Sequence, residues 1–162
     1  MGLEWTEHAI TCICAKDQDG NRFGMAGPNE MEIIVKFLNF IEQYPYKGQY
    51  KYKFITYNGK LFDIPFIIGR LALCERPQDT GAFILEYNHF DIFEFIRKLT
   101  KKRIALDTVS KLLGCKSLKT GSGVGAIDLA RRGKWKELRE YCSDDVDVTE
   151  GLYLKLKKIH GV

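Results

Sequence analysis

Residues 57–67 read YNGKLFDIPFI, and the acidic residue inside this stretch decides how the chain is interpreted. Asp63 stands among apolar neighbours, with Leu61 and Phe62 before it and the run 64–67 after it. A carboxylate drawn toward a protein core is costly unless a positive charge, a metal ion or hydrogen bonds compensate it. Taken alone, Asp63 is interpreted as the N-cap of a helix, a common use of Asp at such a junction.

The size and composition of the chain are typical of a globular protein. Its 162 residues fit a single domain, 1–162, that can bury a core. Hydrophobic residues make up 45% and charged residues 28%, which excludes a disordered chain. No apolar run reaches the ~18–20 residues of a membrane span, and the first ten residues lack the basic segment of a signal peptide. We therefore expect a cytoplasmic protein that does not bind membranes.

The cysteines predict reduced thiols rather than a disulfide framework or a zinc module. There are five of them, and no Cys-x-x-Cys pair occurs. An odd number without paired spacing is typical of mostly buried thiols in a cytosolic protein. The five are Cys12, Cys14, Cys74, Cys115 and Cys142.

The formal charge of +4 is a mild bias toward polyanionic partners. Its distribution is more informative, because ten basic residues fall in three short segments, 98–103 (KLTKKR), 116–119 (KSLK) and 131–136 (RRGKWK). These segments form either a solvated basic face or a surface that follows phosphates.

Strands and helices alternate along the chain, which predicts an α/β fold. Asp91 and Asp107 are placed to cap the helices that follow them, and Gly114 is placed to stop one. The expected strands are 8–15, 22–26, 52–58 and either 83–87 or 89–91. The expected helices are 30–44, 63–73, 92–99, 106–114, 125–133 and about 135–158.

Two residues near the C-terminal end are candidate partners of Asp63. Tyr141 and Asp145 lie four residues apart on the last predicted helix, so their side chains project from one face. A hydroxyl and a carboxylate that face a second carboxylate suit a hard cation such as Mg²⁺. Two such ions, ~3.5–4 Å apart, can activate water and stabilise the leaving oxygen of a phosphodiester. The alternatives are a surface position for Asp145 and a core position for Tyr141.

Two motifs together resemble those of a nuclease family. Asn58, Phe62 and Asp63 match Asn-x-x-x-Phe-Asp, and Tyr141 and Asp145 match Tyr-x-x-x-Asp. In this order, the pair resembles the second and third motifs of the DEDD 3'–5' exonucleases, in the tyrosine-bearing subclass. These ribonuclease-H-like enzymes include the proofreading domains of family B DNA polymerases and their stand-alone relatives. The resemblance continues through HFDIFEFIRKL, LDTVSKLLG and KTGSG.

The resemblance implies a ribonuclease-H-like mixed sheet flanked by helices, and a metal-dependent 3'–5' exonuclease acting on single-stranded ends. Asp63 and Asp145 would bind two Mg²⁺ or Mn²⁺ ions, and Tyr141 would orient or activate the attacking water. Asn58 and Phe62 would contact the terminal nucleotides, and the basic segments would follow phosphates. DNA is favoured over RNA as the nucleic acid, and a polymerase or a helicase is a candidate partner.

The family's first motif, Asp-x-Glu on the first central strand, is not found. The sequence MGLEWTEHAITCICA resembles the region after that motif, so the sheet is expected to lack its first central strand. Glu4 and Glu7 are candidate replacement ligands, although they fall in a loop. Either the sequence starts late and the natural protein is an active nuclease, or the chain is a catalytically inactive nucleic-acid-binding or accessory domain. Unpaired strand edges favour the first explanation.

Overall fold

The computed structural model describes residues 8–42, 53–73, 89–115 and 123–161. Within these ranges the chain forms four strands and six helices. The strands are β1 (Cys12–Lys16), β2 (Arg22–Ala26), β3 (Phe54–Thr56) and β4 (His89–Asp91). The helices are α1 (Glu30–Glu42), α2 (Asp63–Leu73), α3 (Ile92–Thr100), α4 (Leu106–Leu112), α5 (Gly123–Arg131) and α6 (Trp135–His160).

The strands form two pairs of opposite type. β1 and β2 pair antiparallel, with Cys14 opposite Gly24. β3 and β4 pair parallel, with Thr56 opposite Asp91. No ladder joins the two pairs within the described ranges. Parallel and antiparallel pairs flanked by helices agree with the predicted α/β fold class.

The two faces of β1 meet different helices, because successive side chains of a strand point in opposite directions. Ile13 and Ala15 pack against the apolar cluster of α1 and α2. On the other face, Cys12 and Cys14 lie against backbone carbonyls of α6, and Lys16 forms an ion pair with Glu150 of α6 at 2.5 Å. The hairpin is therefore held between α1 and α6.

Two apolar clusters form the core, and helical spacing explains both. The first is formed by α1 and α2, from Ile34, Phe37, Leu38, Ile41, Ile64, Ile67 and Leu71. The second is formed by α3, α4 and α6, from Ile92, Ile96, Val109, Leu152 and Leu156. The strand pair β3–β4 joins the clusters, because Phe54 packs against the first and Ile55 and Phe90 against the second.

Helix α6 is the longest element and contacts β1, β2, β3, α4 and α5. It has 26 residues and ends at His160, and the following Gly161 caps it with a φ of 66°, the left-handed conformation common at helix C-termini. None of the described helices is long and apolar enough to cross a membrane.

The helices follow the sequence prediction closely, and β2 and β4 have the predicted bounds, 22–26 and 89–91. The other two strands are shorter than predicted. β1 begins at Cys12 rather than at residue 8, and β3 ends at Thr56 because Tyr57 and Asn58 bend into a turn. Three predicted features lie outside the described residues. They are the alternative strand 83–87, residues 119–122 of the glycine-rich segment, and the candidate ligands Glu4 and Glu7.

Asp107 does not cap α4, which corrects the sequence prediction. The helix begins at Leu106, two residues earlier than a cap at Asp107 allows, and Ala105 takes the N-cap position without a side-chain hydrogen bond. Leu106 packs against the second apolar cluster, and this packing places it in the first turn. Gly114, predicted to stop the helix, follows its end with a φ of 61°.

Candidate functional site

A tight turn after β3 carries the first predicted site residues. Asn58 has a φ of 69°, a left-handed conformation that Asn adopts more readily than most residues. Its carbonyl oxygen accepts hydrogen bonds from the backbone N–H groups of Leu61 and Phe62, at 3.3 and 3.1 Å. A Cβ atom at Gly59 would lie 2.6 Å from Cβ of Thr56, so glycine alone fits there. The turn delivers the chain directly to Asp63, the first residue of α2.

Asp91 fixes this turn from the end of the neighbouring strand β4. Its side chain is 4% exposed and accepts backbone hydrogen bonds from Asn58 at 3.0 Å and Lys60 at 3.0 Å. It also accepts from the backbone of Glu94 at 3.1 Å, as the predicted N-cap of α3. The cap prediction is confirmed. The hydrogen bonds of Asp91 with the turn were not predicted from the sequence, because they depend on the parallel pairing of β3 with β4.

Asp63 lies in an acidic environment at the start of α2. The residue is exposed, so the desolvation acting on its carboxyl comes from protein packed beside it rather than from full enclosure. This desolvation, followed by the negative charges of Cys142, Asp91 and Asp145, raises the pKa of Asp63 to about 6. No basic side chain within the described ranges forms an ion pair with Asp63.

Tyr141 and Asp145 lie one helical turn apart on α6, and both are half-buried. The charge of Asp145 acts on Asp63, so the structure brings these two predicted carboxylates into the same electrostatic environment although 82 positions separate them in the sequence. The role of Asp145 as a metal ligand remains a prediction.

The two predicted substrate-contacting residues lie on the turn before Asp63. The Phe62 ring is accessible, with 39% of the residue exposed, and lies 5.8 Å from the ring of Phe66. The Asn58 side-chain oxygen is buried and has no hydrogen-bond partner in the described part of the chain. Phe62 thus offers an open aromatic surface, whereas the Asn58 oxygen is an acceptor enclosed by the protein.

The described basic segments differ in how far neighbouring acids neutralise them. In 131–136, Arg132, Lys134 and Lys136 each form an ion pair with an acid three or four residues away on the helix or beside it. In 98–103, Lys98 pairs with Glu94, whereas residues 101–103 are exposed and form no ion pair with a described carboxylate. The segment 116–119 lies outside the described residues.

A family model described as the RNase H superfamily matches residues 1–157. The chain belongs to the RNase H superfamily. The predicted ribonuclease-H-like fold is thereby confirmed, and this fold is of the nuclease type. The tyrosine-bearing DEDD subclass remains a prediction.

Among solved structures, this RNase H superfamily chain is similar to the family B DNA polymerase of the hyperthermophilic archaeon Pyrobaculum calidifontis. The TM-score is 0.73 and the sequence identity is 18%, a likeness that shows the fold alone. The match covers 96% of this chain and 22% of the polymerase, so the chain spans less than a quarter of the polymerase's length. No curated protein matches the sequence.

The acidic residues of this RNase H superfamily chain fit a hard divalent cation, the kind of ion that this fold usually uses. Asp63 and Asp145 offer carboxylate oxygens, the ligands that Mg²⁺ prefers. Their mutual repulsion, which contributes to the raised pKa of Asp63, is the interaction that a bound cation would relieve.

The structure also gathers three cysteines that the sequence analysis treated as unrelated thiols. The Sγ atoms of Cys12, Cys14 and Cys142 all lie within 4.8 Å of one another. The alternation of β1 indicates that Cys12 and Cys14 share a face. No pattern in the sequence places Cys142 beside them, because it lies more than 120 residues away on α6. The described cysteines are free and partly buried, in agreement with the prediction of reduced, mostly buried thiols.

Proposed function

We propose that this chain is a metal-dependent 3'–5' exonuclease that hydrolyses phosphodiester bonds at single-stranded nucleic acid ends. The observation that supports it most is the shared electrostatic environment of Asp63 and Asp145, which come from the strand-to-helix turn and from α6. A cluster of carboxylates without a basic partner for Asp63 is typical of a site that binds a cation. The RNase H superfamily fold supports the same chemistry.

Each proposed site residue has a task that its position allows. Asp63 and Asp145 would hold Mg²⁺ or Mn²⁺, which would acidify a water and stabilise the leaving oxygen. The hydroxyl of Tyr141, one turn before Asp145, would donate a hydrogen bond that orients the attacking water. Because Asp91 fixes the turn before Asp63, the Asp63 carboxylate would not have to change position when the substrate binds.

The substrate contacts are proposed from the surface beside this site. The open ring of Phe62 would stack on a terminal base, because aromatic stacking accepts any base. Asn58 would contact the terminal nucleotide through the exposed part of the residue, because its side-chain oxygen is buried. The uncompensated basic residues 101–103 would contact phosphates. Single-stranded DNA is the favoured substrate, and a polymerase or a helicase is the candidate partner.

The test is degradation of a 5'-labelled single-stranded DNA oligonucleotide with Mg²⁺ or Mn²⁺, followed by electrophoresis. We expect a ladder shortened from the 3' end that disappears with a chelator and with a 3'-terminal phosphorothioate bond. Asp63→Asn and Asp145→Asn should lower the rate at least about 100-fold, since each removes a charged ligand that stabilises the transition state. Tyr141→Phe should lower the rate about 10- to 100-fold and keep metal binding.

Asp128→Asn is the matched control, because Asp128 lies on an exposed face of α5 and pairs with Arg132. Its rate should equal that of the unaltered chain. A rate that does not fall in Asp63→Asn or Asp145→Asn would contradict the proposal. So would the absence of chelator-sensitive degradation of both DNA and RNA.

The second candidate function is a catalytically inactive module that binds single strands. The exposed basic residues 101–103 and the open Phe62 ring favour it, since neither contact requires a metal. Its signature is binding that weakens steeply with salt and that Asp63→Asn leaves unchanged. Fluorescence anisotropy with a labelled oligonucleotide, with and without chelator, separates this function from the exonuclease.

A further inference from the structure

Three thiols meet where the hairpin packs on α6. Cys12 and Cys14 lie on the face of β1 that meets this helix, with their Sγ atoms 4.0 Å apart. Sγ of Cys12 lies 4.0 Å from the carbonyl oxygen of Leu138, and Sγ of Cys14 lies 3.6 Å from that of Arg139. Cys142 is on α6 itself, and all three sulfurs fall within 4.8 Å of one another. The cluster thus bridges two elements that are distant in sequence.

The spacing of the sulfurs fits coordination of one metal ion better than a disulfide. With a metal–sulfur distance of about 2.3 Å, the edge between two sulfurs is about 3.8 Å in a tetrahedron and about 4.0 Å in a trigonal plane. The separation between Cys12 and Cys14 already has this value. A disulfide would require two sulfurs at about 2.0 Å and would leave the third thiol unused.

Charge in the cluster also favours a cation. Hydrogen bonds with Cys12 and Cys142, together with the guanidinium groups of Arg139 and Arg22, lower the pKa of Cys14 to about 4. The hydrogen bond with Cys14 in turn raises the pKa of Cys12. The hydrogen bonds among the three thiols and the two nearby guanidinium groups therefore favour loss of a proton from Cys14. Binding of a cation to the three sulfurs would displace the protons that remain on them.

Arg139 lies beside the cysteine cluster. Gly24 lies opposite Cys14 in the hairpin, and a Cβ there would lie 3.5 Å from both Sγ of Cys14 and the aliphatic carbons of Arg139. The Arg139 side chain therefore lies next to the hairpin beside Cys14. Its positive charge would offset the negative charge of a metal complex with three thiolates.

We propose that Cys12, Cys14 and Cys142 form a binding site for one thiophilic cation, Zn²⁺ or Cu⁺, which connects β1 to α6. Thiolates are soft ligands that select these ions over Mg²⁺ and Mn²⁺. Three thiolates satisfy Cu⁺, whereas Zn²⁺ would take a fourth ligand from solvent. The site uses no carboxylate of the proposed exonuclease site and stands independently of that function.

The test is a metal titration of the reduced, metal-free chain under anaerobic conditions, with Zn²⁺ and Cu⁺ in separate arms and competing chromogenic chelators. We expect one ion per chain, release of protons as Zn²⁺ binds at neutral pH, and X-ray absorption showing three sulfur neighbours at about 2.3 Å. The melting temperature should rise with the metal, because binding favours the folded state alone.

Serine substitutions locate the site. Cys12→Ser, Cys14→Ser and Cys142→Ser should each weaken binding at least about 100-fold, because even residues that only support a metal ligand contribute 10- to 100-fold. Cys115→Ser is the matched control, since this half-buried cysteine follows α4 and does not belong to the cluster, and it should bind like the unaltered chain. Circular dichroism of each metal-free variant establishes that it is folded.

The results separate this site from the exonuclease. Asp63→Asn and Asp145→Asn should keep the thiolate site intact, even if the chain proves to have no nuclease activity. Affinity for Zn²⁺ and Cu⁺ that matches a variant lacking all three cysteines overturns the proposal. Oxygen or nitrogen neighbours in place of three sulfurs in the unaltered chain overturn it equally, and this measurement does not depend on any variant.

Discussion

His89 shows at the scale of one residue how the packing of β4 affects titration. Its Nε2 lies 2.6 Å from Oγ1 of Thr56, and its Nδ1 is buried without a hydrogen-bond partner in the described residues. Desolvation lowers the pKa of His89 below its ordinary value, and the charge of Lys60 adds to this, although Asp91 and Glu94 act in the opposite direction. The folded protein therefore favours the neutral imidazole.

This shift predicts a loss of stability in weak acid. Below the ordinary histidine pKa of about 6.5, the unfolded chain binds a proton that the folded chain resists. The free energy of unfolding therefore falls as the pH drops through this value toward the lower pKa of the folded state. His89→Gln removes this contribution, so its stability should decrease less between pH 7.5 and pH 5 in urea unfolding.

The control for this experiment is His8→Gln at an exposed position, which should change the free energy of unfolding by less than about 0.5 kcal/mol. Parallel stability curves for the unaltered chain and His89→Gln across this pH range would contradict the assignment.

At the scale of elements, an ion pair joins the first turn of α1 to the last turn of α2. Both Arg70 nitrogens Nε and Nη2 donate to the Glu30 carboxylate, at 2.8 and 2.6 Å, and the backbone of Ile10 donates to it at 2.6 Å. The two side chains are only 18% and 10% exposed. Removing one partner of such an ion pair lowers the stability of the fold, because the other charge is left partly buried and unpaired.

Glu30→Gln should therefore lower the free energy of unfolding by about 2–3 kcal/mol, less than for a fully buried pair because some solvent reaches both groups. Urea unfolding measures the change. Glu32→Gln is the control on the same helix, because its pair with Lys36 is exposed and should contribute less than about 0.5 kcal/mol. Equal effects of the two substitutions would show that burial does not strengthen the Glu30 pair.

The elements were largely predictable from the sequence because their signals are local. The bounds of α2 follow directly from the apolar spacing after Asp63, and Asp91 caps α3 through its immediate neighbours. Asp107 was assigned wrongly because packing of Leu106, a distant contact, determines where α4 begins. The approach of Cys142 to Cys14 likewise depends on the packing of α6 against the hairpin, which no local pattern specifies.

At the scale of the whole molecule, α6 connects the hairpin to the second apolar cluster. Its N-terminal half carries Leu138 and the cysteine beside the hairpin, and its C-terminal half places Leu152 and Leu156 in the cluster with α3 and α4. The helix that carries Tyr141 and Asp145 therefore also forms part of the second apolar cluster.

Leu152→Ala should lower the free energy of unfolding by about 3 kcal/mol, because it leaves a cavity at a position with no exposed surface. Leu154→Ala is the control two residues away, where the leucine is 57% exposed and the loss should stay below about 0.5 kcal/mol. Urea unfolding followed by circular dichroism measures both. A similar small loss in both variants would contradict the position of Leu152 in the core.

The close fit of Gly59 against Thr56 also limits how this protein can change over generations. Alanine at position 59 would require Thr56 to move, and Thr56 is already held by contacts with His89 and Asp91. A single codon change there would therefore displace Asn58 and Asp63 together rather than alter one residue alone. We expect descendants of this gene to keep this glycine or to rebuild the whole turn at once, so the segment is inherited as one unit.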